Sequence, residues 1–282
     1  VISRSSKQKT AFAAMTLSGL VVVLPALAVV YFLLANGAPA ISWSFLTEMP
    51  RSGMREGGIM PAIVGTLYLL AGTLLFAVPI GILAAIYLTE YAPANKLTRM
   101  IRLAIVNLAG VPSIVYGLFG YGLFVLFLHF GRSVLAGSLT LALLILPVVI
   151  TSAEEALLSV PRSFRDGSLA LGATKWQTIR KIVLPNSAAG IITGVVLGVG
   201  RAAGETAPIM FTAAAFYLPR LPRSVFDDCM ALPYHLYVVA SEMFNCPEKV
   251  QWGTALTLLM LVLGMNLTAA VIRAKFRRSR SW

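Results

Sequence analysis

The chain has 282 residues, 58% of them hydrophobic and 12% charged, with a formal net charge of +12. A soluble domain of this length carries about twice that share of charge. The apolar residues also stand in long blocks, the mark of an integral membrane protein. The short alternating segments of about ten residues that a β-barrel requires are not seen.

Six blocks, roughly 11–34, 60–89, 103–130, 134–153, 187–216 and 252–272, are each long enough to cross ~30 Å of hydrocarbon as a helix. The first follows Arg4, Lys7 and Lys9. It is long for the apolar core of a signal peptide and no small-residue cleavage site closes it, so it reads as a retained helix. In the third block Ser113 and Tyr116 follow Pro112. They are either polar residues bonded within the helix packing or part of a path through it. His129, near the end of that block, suits a membrane interface.

Between the fourth and fifth blocks lies a long polar loop, about 154–186. Pro161 breaks the helix that carries Glu154 and Glu155, and Asp166 can cap a new helix or enter its first turn. Leu169, Ala173, Trp176 and Ile179 then recur at helical spacing, with Arg165, Lys175, Arg180 and Lys181 largely off that stripe. Gly172 either interrupts the helix or lets two helices meet closely, and Pro185 is expected to end it. This predicts a short amphipathic helix pair whose apolar face needs a partner, either the chain's own helices or another surface.

The fifth block contains GRAAGETAP, with Arg201 and Glu205 four residues apart. A charge at the bilayer centre costs ~2.5–3.5 kcal/mol on insertion scales. On a helix the two share a face and can pair. One reading is a self-satisfied ion pair that fixes packing. The other is a polar notch, because Gly190, Gly194 and Gly198 strip one face of side chains and Pro208 is expected to kink the helix beside Glu205. Arginine's planar fork matches a tetrahedral oxyanion and keeps its charge at any relevant pH. Glu205 would compete for the guanidinium and weaken its hold, as conduction requires.

The loop 217–251 holds both cysteines, Cys229 and Cys246, where a disulfide and a pair of packed thiols both fit the spacing. Its stretch ALPYHLYVVASEMF, 231–244, reads as a short helix on the membrane surface. His235 has no metal-ligand companions at useful spacing. The C-terminal RAKFRRSR completes a one-sided charge pattern. With both termini on one side, that side holds sixteen basic residues against four acidic ones, and the other side is neutral. The positive-inside rule makes the basic side cytoplasmic, with the tail a membrane-surface anchor rather than a nucleic-acid contact. No phosphate-binding loop of the form G-x-x-x-x-G-K-[ST] is present, so any ATP must be hydrolysed by another chain.

Glu155-Ala156, then Gly172, then Ile182 and Leu184-Pro185 resemble the EAA motif of ABC importer permeases, with Leu157 where the family usually has alanine. GGIMPAIVGT (57–66), VPSIVYGLFGYG (111–122), LGATKWQTI (171–179) and GRAAGETAPIMFTAA (200–214) further resemble the permeases of phosphate-specific ABC importers, the PstA family. The resemblance implies an all-α polytopic membrane protein with six transmembrane helices, the type I importer permease (MetI-like) fold, and both termini cytoplasmic. It implies one permease domain over 1–282, with a cytoplasmic coupling loop at about 154–186 and external loops at about 35–59 and 217–251. The activity implied is carriage of inorganic phosphate across a bacterial inner membrane, without catalysis, past Arg201 and Glu205. Glu155, Ala156, Arg165, Asp166, Leu169, Gly172, Ala173 and Trp176 would engage the ATPase. The implied partners are a second, PstC-like permease, two PstB-like ATPases that bind the ATP and magnesium, and a PstS-like phosphate-binding protein. This chain itself would carry no cofactor. A permease for sulfate or molybdate is the alternative within the superfamily, and a self-contained anion channel or secondary transporter the alternative outside it.

Overall fold

Packing is centred on one helix. In the computed structural model, which describes residues 4–278, helix α6 (Val134–Leu158) has 67% of its most apolar stretch buried, whereas α1 (Arg4–Gly37) buries none of its own. Arg280 of the basic tail lies outside the described residues. Helix α6 packs on α3 (Met60–Ile86), α9 (Leu184–Gly204) and α5 (Ser113–Gly120). Helix α12 (Glu248–Arg278) packs on α9, and α1 packs on α12. Among the described residues five helices are long and apolar enough to cross a membrane, and a bent pair, taken as one span, supplies a sixth. The all-α, six-span expectation holds, with two of its blocks drawn differently.

The third block is not one span over 103–130. It is α4 (Lys96–Leu108) followed by α5, which runs on to Phe127, and the two are bent by 104°. Helix α4 starts under an Asn95 cap that accepts from the Thr98 amide at 2.9 Å. It stops short of Pro112, because the residue before a proline is pushed out of the helical region. Tyr116 closes the elbow by donating to the Leu108 carbonyl at 2.9 Å.

The fifth block is also broken. Helix α9 ends at Gly204, Glu205 is extended, and α10 (Ala207–Thr212) restarts with Pro208 in its first turn. Pro208 has no N–H for the Gly204 carbonyl, and its ring would collide with that carbonyl. The chain therefore unwinds before the proline instead of kinking at it. Pro185, expected to end the loop helix, does not. The helix runs from Lys175 to Gly204 because a π turn, Ile179–Val183, shifts the hydrogen-bond register just ahead of it.

The loop over 217–251 contains α11 (Leu232–Tyr237), but this helix does not lie free on a surface. Leu232, His235, Val238 and Val239 are buried, in part against Phe45, Ile59 and Ala62. Its apolar side gains more by covering the end of the bundle. The loop over 35–59 closes the same cluster with α2 (Trp43–Thr47) and a two-residue hairpin, β1 (Pro50–Arg51) with β2 (Glu56–Gly57).

Candidate functional site

Arg201 lies three residues before the end of α9, and Glu205 is the first residue beyond it. They do not share a continuous helix face. Their contact, Nε to Oε1 at 3.5 Å, spans the helix end. The side chains are 35% and 18% exposed, so the pair is neither out in bulk water nor sealed in a dry seam. The pair is also loose. Arg201 offers five N–H groups in a fixed fork, and neither of its Nη atoms finds an acceptor among the described residues. The neighbouring Ala202 and Ala203 pack with Ala142, Leu144 and Ile145 of α6. Ala142 is about 12 Å in from the first residue of α6 at ~1.5 Å per residue. Arg201 thus stands well along the length of the bundle, half-buried, at an interrupted helix, the kind of place where freed backbone groups are tolerated only beside protein or water.

Glycine sets the position of α9. A Cβ on Gly190 would lie 2.6 Å from that of Ala156, and one on Gly194 would lie 2.2 Å from that of Ser152. Gly198 leaves ordinary contact with Ile145, 3.4 Å. The stripped face therefore serves the α6–α9 seam, as its spacing predicts. Gly117 does the same for α5, where an added Cβ would meet the Ala207 carbonyl and Pro208 at 3.0 Å. Tyr116 packs with Ala202 and Ala203, but its hydroxyl is committed to the elbow. Ser113, half-buried, opens α5. Sequence reasoning missed Asn266 of α12, whose Oδ1 would lie 3.0 Å from a Cβ on Gly200, one residue from Arg201. A lone amide inside an apolar block was the available signal.

The loop over 154–186 folds as two short helices, α7 (Arg162–Ala170) and α8 (Lys175–Thr178), the second continuous with α9. Gly172 takes φ +82° and turns the chain between them. Thr174 and Gln177 then form a capping box. Asp166 neither caps α7 nor sits in its first turn, because Pro161 holds the cap position. Asp166 and Glu155 are exposed, Ala173 is half-buried, and Ala156 is buried under Gly190. The apolar stripe is split. Ile179 is buried in the bundle, while Leu169 and Trp176 are 46% and 48% exposed, as is Leu171 off the stripe at 90%. Arg165 turns inward, onto the chain's own helices. It bonds Glu90 at 2.9 and 3.1 Å and the carbonyls of Leu157 and Val160 at 2.8 and 2.6 Å.

Cys229 and Cys246 are free, buried thiols in separate clusters, so the packed-thiol reading describes them and the disulfide does not. Burial, with a smaller push from Asp228, raises the Cys229 thiol to about 12. Burial lowers His235 to about 4, and neither of its ring nitrogens has a hydrogen-bond partner among the described residues. No cluster of three metal-ligating side chains occurs among the described residues.

A bundle of apolar, membrane-length helices with a charged pair at a helix break, and a short helical hairpin at one end, defines a multi-pass membrane protein as its class. The chain belongs to the family of binding-protein-dependent transport system inner membrane components, whose model matches residues 77–281. It is 37% identical over 268 residues, 93% of this chain and 87% of the relative, to phosphate transport system permease protein PstA 1 of Mycobacterium tuberculosis. It is 34% identical over 251 residues, 84% and 85% of the two chains, to the probable ABC transporter permease protein YqgI of Bacillus subtilis. In fold it is similar to a bacterial ABC transporter involved in import of the acidic polysaccharide alginate, with a TM-score of 0.69 and 14% identity over 96% of this chain and 98% of that one. The protein is a multi-pass inner membrane permease of an ABC importer, a transport component rather than an enzyme, working with an ATPase and a substrate-binding partner.

Proposed function

We propose that this chain is the permease subunit of an ATP-driven importer of inorganic phosphate and forms half of a heterodimeric pathway with a second, PstC-like permease. Arg201 is the anion contact and Glu205 its internal competitor. The observation that carries this reading is a half-buried guanidinium at a helix break whose two Nη groups have no acceptor among the described residues. A phosphate oxyanion matches that fork. The loose contact to Glu205 keeps the site near neutral when empty and lets the anion go. The mycobacterial relative, named as a phosphate permease, supports the substrate. The end that carries α7 faces the cytoplasm, in keeping with the excess of basic residues there. Leu169, Leu171 and Trp176 offer PstB-like ATPases an apolar contact, beside a cavity of about 510 Å³ lined by Phe164, Leu171 and Ile182. ATP and magnesium bind in those partners, and a PstS-like protein delivers phosphate to the opposite end.

The test is reconstitution of the assembled transporter in liposomes. ATP-driven uptake of labelled phosphate that excess sulfate or molybdate does not displace is the expected result. Displacement by either anion would reassign the substrate. Uptake that needs no ATPase would make the chain a channel or secondary transporter.

A further inference from the structure

Arg165 uses its fork entirely inside the chain. Its carboxylate partner, Glu90, sits in the π turn Tyr87–Tyr91 that ends α3, and the two carbonyls it reaches belong to the last residues of α6 and the turn that follows. The arginine and glutamate side chains are only 17% and 10% exposed. An arginine meant for an outside partner would keep its fork in solvent. This one bonds across three elements at once. On its other side α7 is fastened to the base of α9, where the buried Ser168 and Thr178 hydroxyls lie 2.9 Å apart. A second arginine, Arg102 of α4, joins the same two helices by pairing with Glu154 of α6 and donating to the Leu88 carbonyl at 2.6 Å.

We propose that the Arg165–Glu90 pair is the mechanical tie through which displacement of α7 moves the ends of α3 and α6. The inference rests on the transport reading above, in which α7 meets the ATPase. A largely buried pair in which Nε and Nη2 both donate to the one oxygen Oε1 of Glu90, while Nη1 and Nη2 also hold two carbonyls, keeps its elements at a fixed separation. Helix α6 then passes the movement on, because its seam with α9 has no slack at Gly190 and Gly194, and close-packed seams shift as units rather than deform. The far end of α9 carries Arg201. Arg165 is in this sense a positioning residue that never touches the anion.

The experiment uses the assembled transporter in liposomes, with ATP hydrolysis and phosphate uptake measured on the same preparation. R165K keeps the charge but loses the fork, and E90Q keeps the shape but loses the charge. In both, hydrolysis is expected to stay close to wild type while uptake per ATP falls at least about fivefold, the lower end of ordinary coupling strengths. A purely structural role would lower hydrolysis and uptake together, with the amount of folded complex. A second readout does not depend on the substrate. Spin labels at Gly167 of α7 and Leu83 of α3, both exposed, are expected to keep their separation when the ATPase is trapped with ATP and vanadate in the wild type. In R165K they are expected to shift by roughly 2 Å or more. An unchanged uptake-to-ATP ratio in both variants, or labels that separate as far in the wild type as in R165K, would overturn the tie. Wild-type liposomes that carry no phosphate would count against the substrate alone, since the label distances still report on the tie.

Discussion

Gly194 of α9 faces Ser152 of α6 so closely that an added Cβ would lie 2.2 Å from the serine Cβ. No side chain fits there without moving a helix. Gly194→Ala is expected to destabilise the protein by about 1–3 kcal/mol, the usual cost of overpacking. Gly264→Ala, where nothing lies within 4 Å, is expected to be neutral or stabilising, since alanine is the better helix former by ~1 kcal/mol. Thermal unfolding in detergent compares the two.

Arg201→Gln and Glu205→Gln are each expected to cripple phosphate uptake while the protein remains in the membrane at normal levels. A charge-assisted hydrogen bond contributes about 1.5–3 kcal/mol, so the loss for the arginine variant is roughly tenfold or more. Initial uptake rates, normalised to the permease by immunoblot, decide the matter. Normal uptake in both variants would remove the pair from the pathway.

Tyr116→Phe separates packing from transport. The hydroxyl is occupied by the Leu108 carbonyl, so its loss should lower stability by about 0.5–1.5 kcal/mol and leave uptake near wild type. A large loss of uptake at unchanged stability would put the hydroxyl on the anion's route.

His235 makes stability depend on pH. Burial holds its folded pKa at about 4 against 6.5 in the unfolded chain. The folded state thus disfavours the proton, and the contribution is whole above about pH 6.5. It declines as pH falls and is lost once pH passes below about 4. At ~1.4 kcal/mol for each tenfold in proton affinity, the loss is about 3 kcal/mol. His235→Leu is expected to flatten this dependence and to cost little at neutral pH, because neither ring nitrogen is hydrogen-bonded among the described residues. Denaturant unfolding at pH 4 to 8 on both proteins measures it.

The two thiols are expected to be inert. The thiolate is the reactive form, and Cys229 is held at about 12 by burial, while burial likewise raises Cys246. A maleimide should label neither in the folded protein and both after unfolding in detergent. A gel shift on reduction would instead reveal a disulfide.

Much of the site was legible because its signals are local. Charges inside an apolar block stand out by cost alone, and the four-residue spacing of Gly190, Gly194 and Gly198 predicts a close helix seam. What the Arg201–Glu205 spacing could not reveal was the break between them. Whether a proline kinks a helix, ends it or is passed depends on what receives the freed carbonyls. Pro208 stopped α9 four residues early and Pro185 was absorbed by a π turn, although both are prolines near a helix end. Arg165 was misplaced for a related reason. Its position on the loop helix was readable, but its acceptors come from residue 90 and residues 157 and 160.

By itself the sequence determined that this chain lives in a membrane, where four of its six apolar blocks cross as single helices, and which loops collect positive charge. Hydrophobic length and charge count act residue by residue and need no partner. The tertiary structure alone decided which arginines are satisfied. Arg165 and Arg102 meet carboxylates and carbonyls brought from distant helices, while among the described residues Arg201 has one long contact. Hydrogen-bond satisfaction is a property of groups that meet in space, so it appears only once the helices have packed.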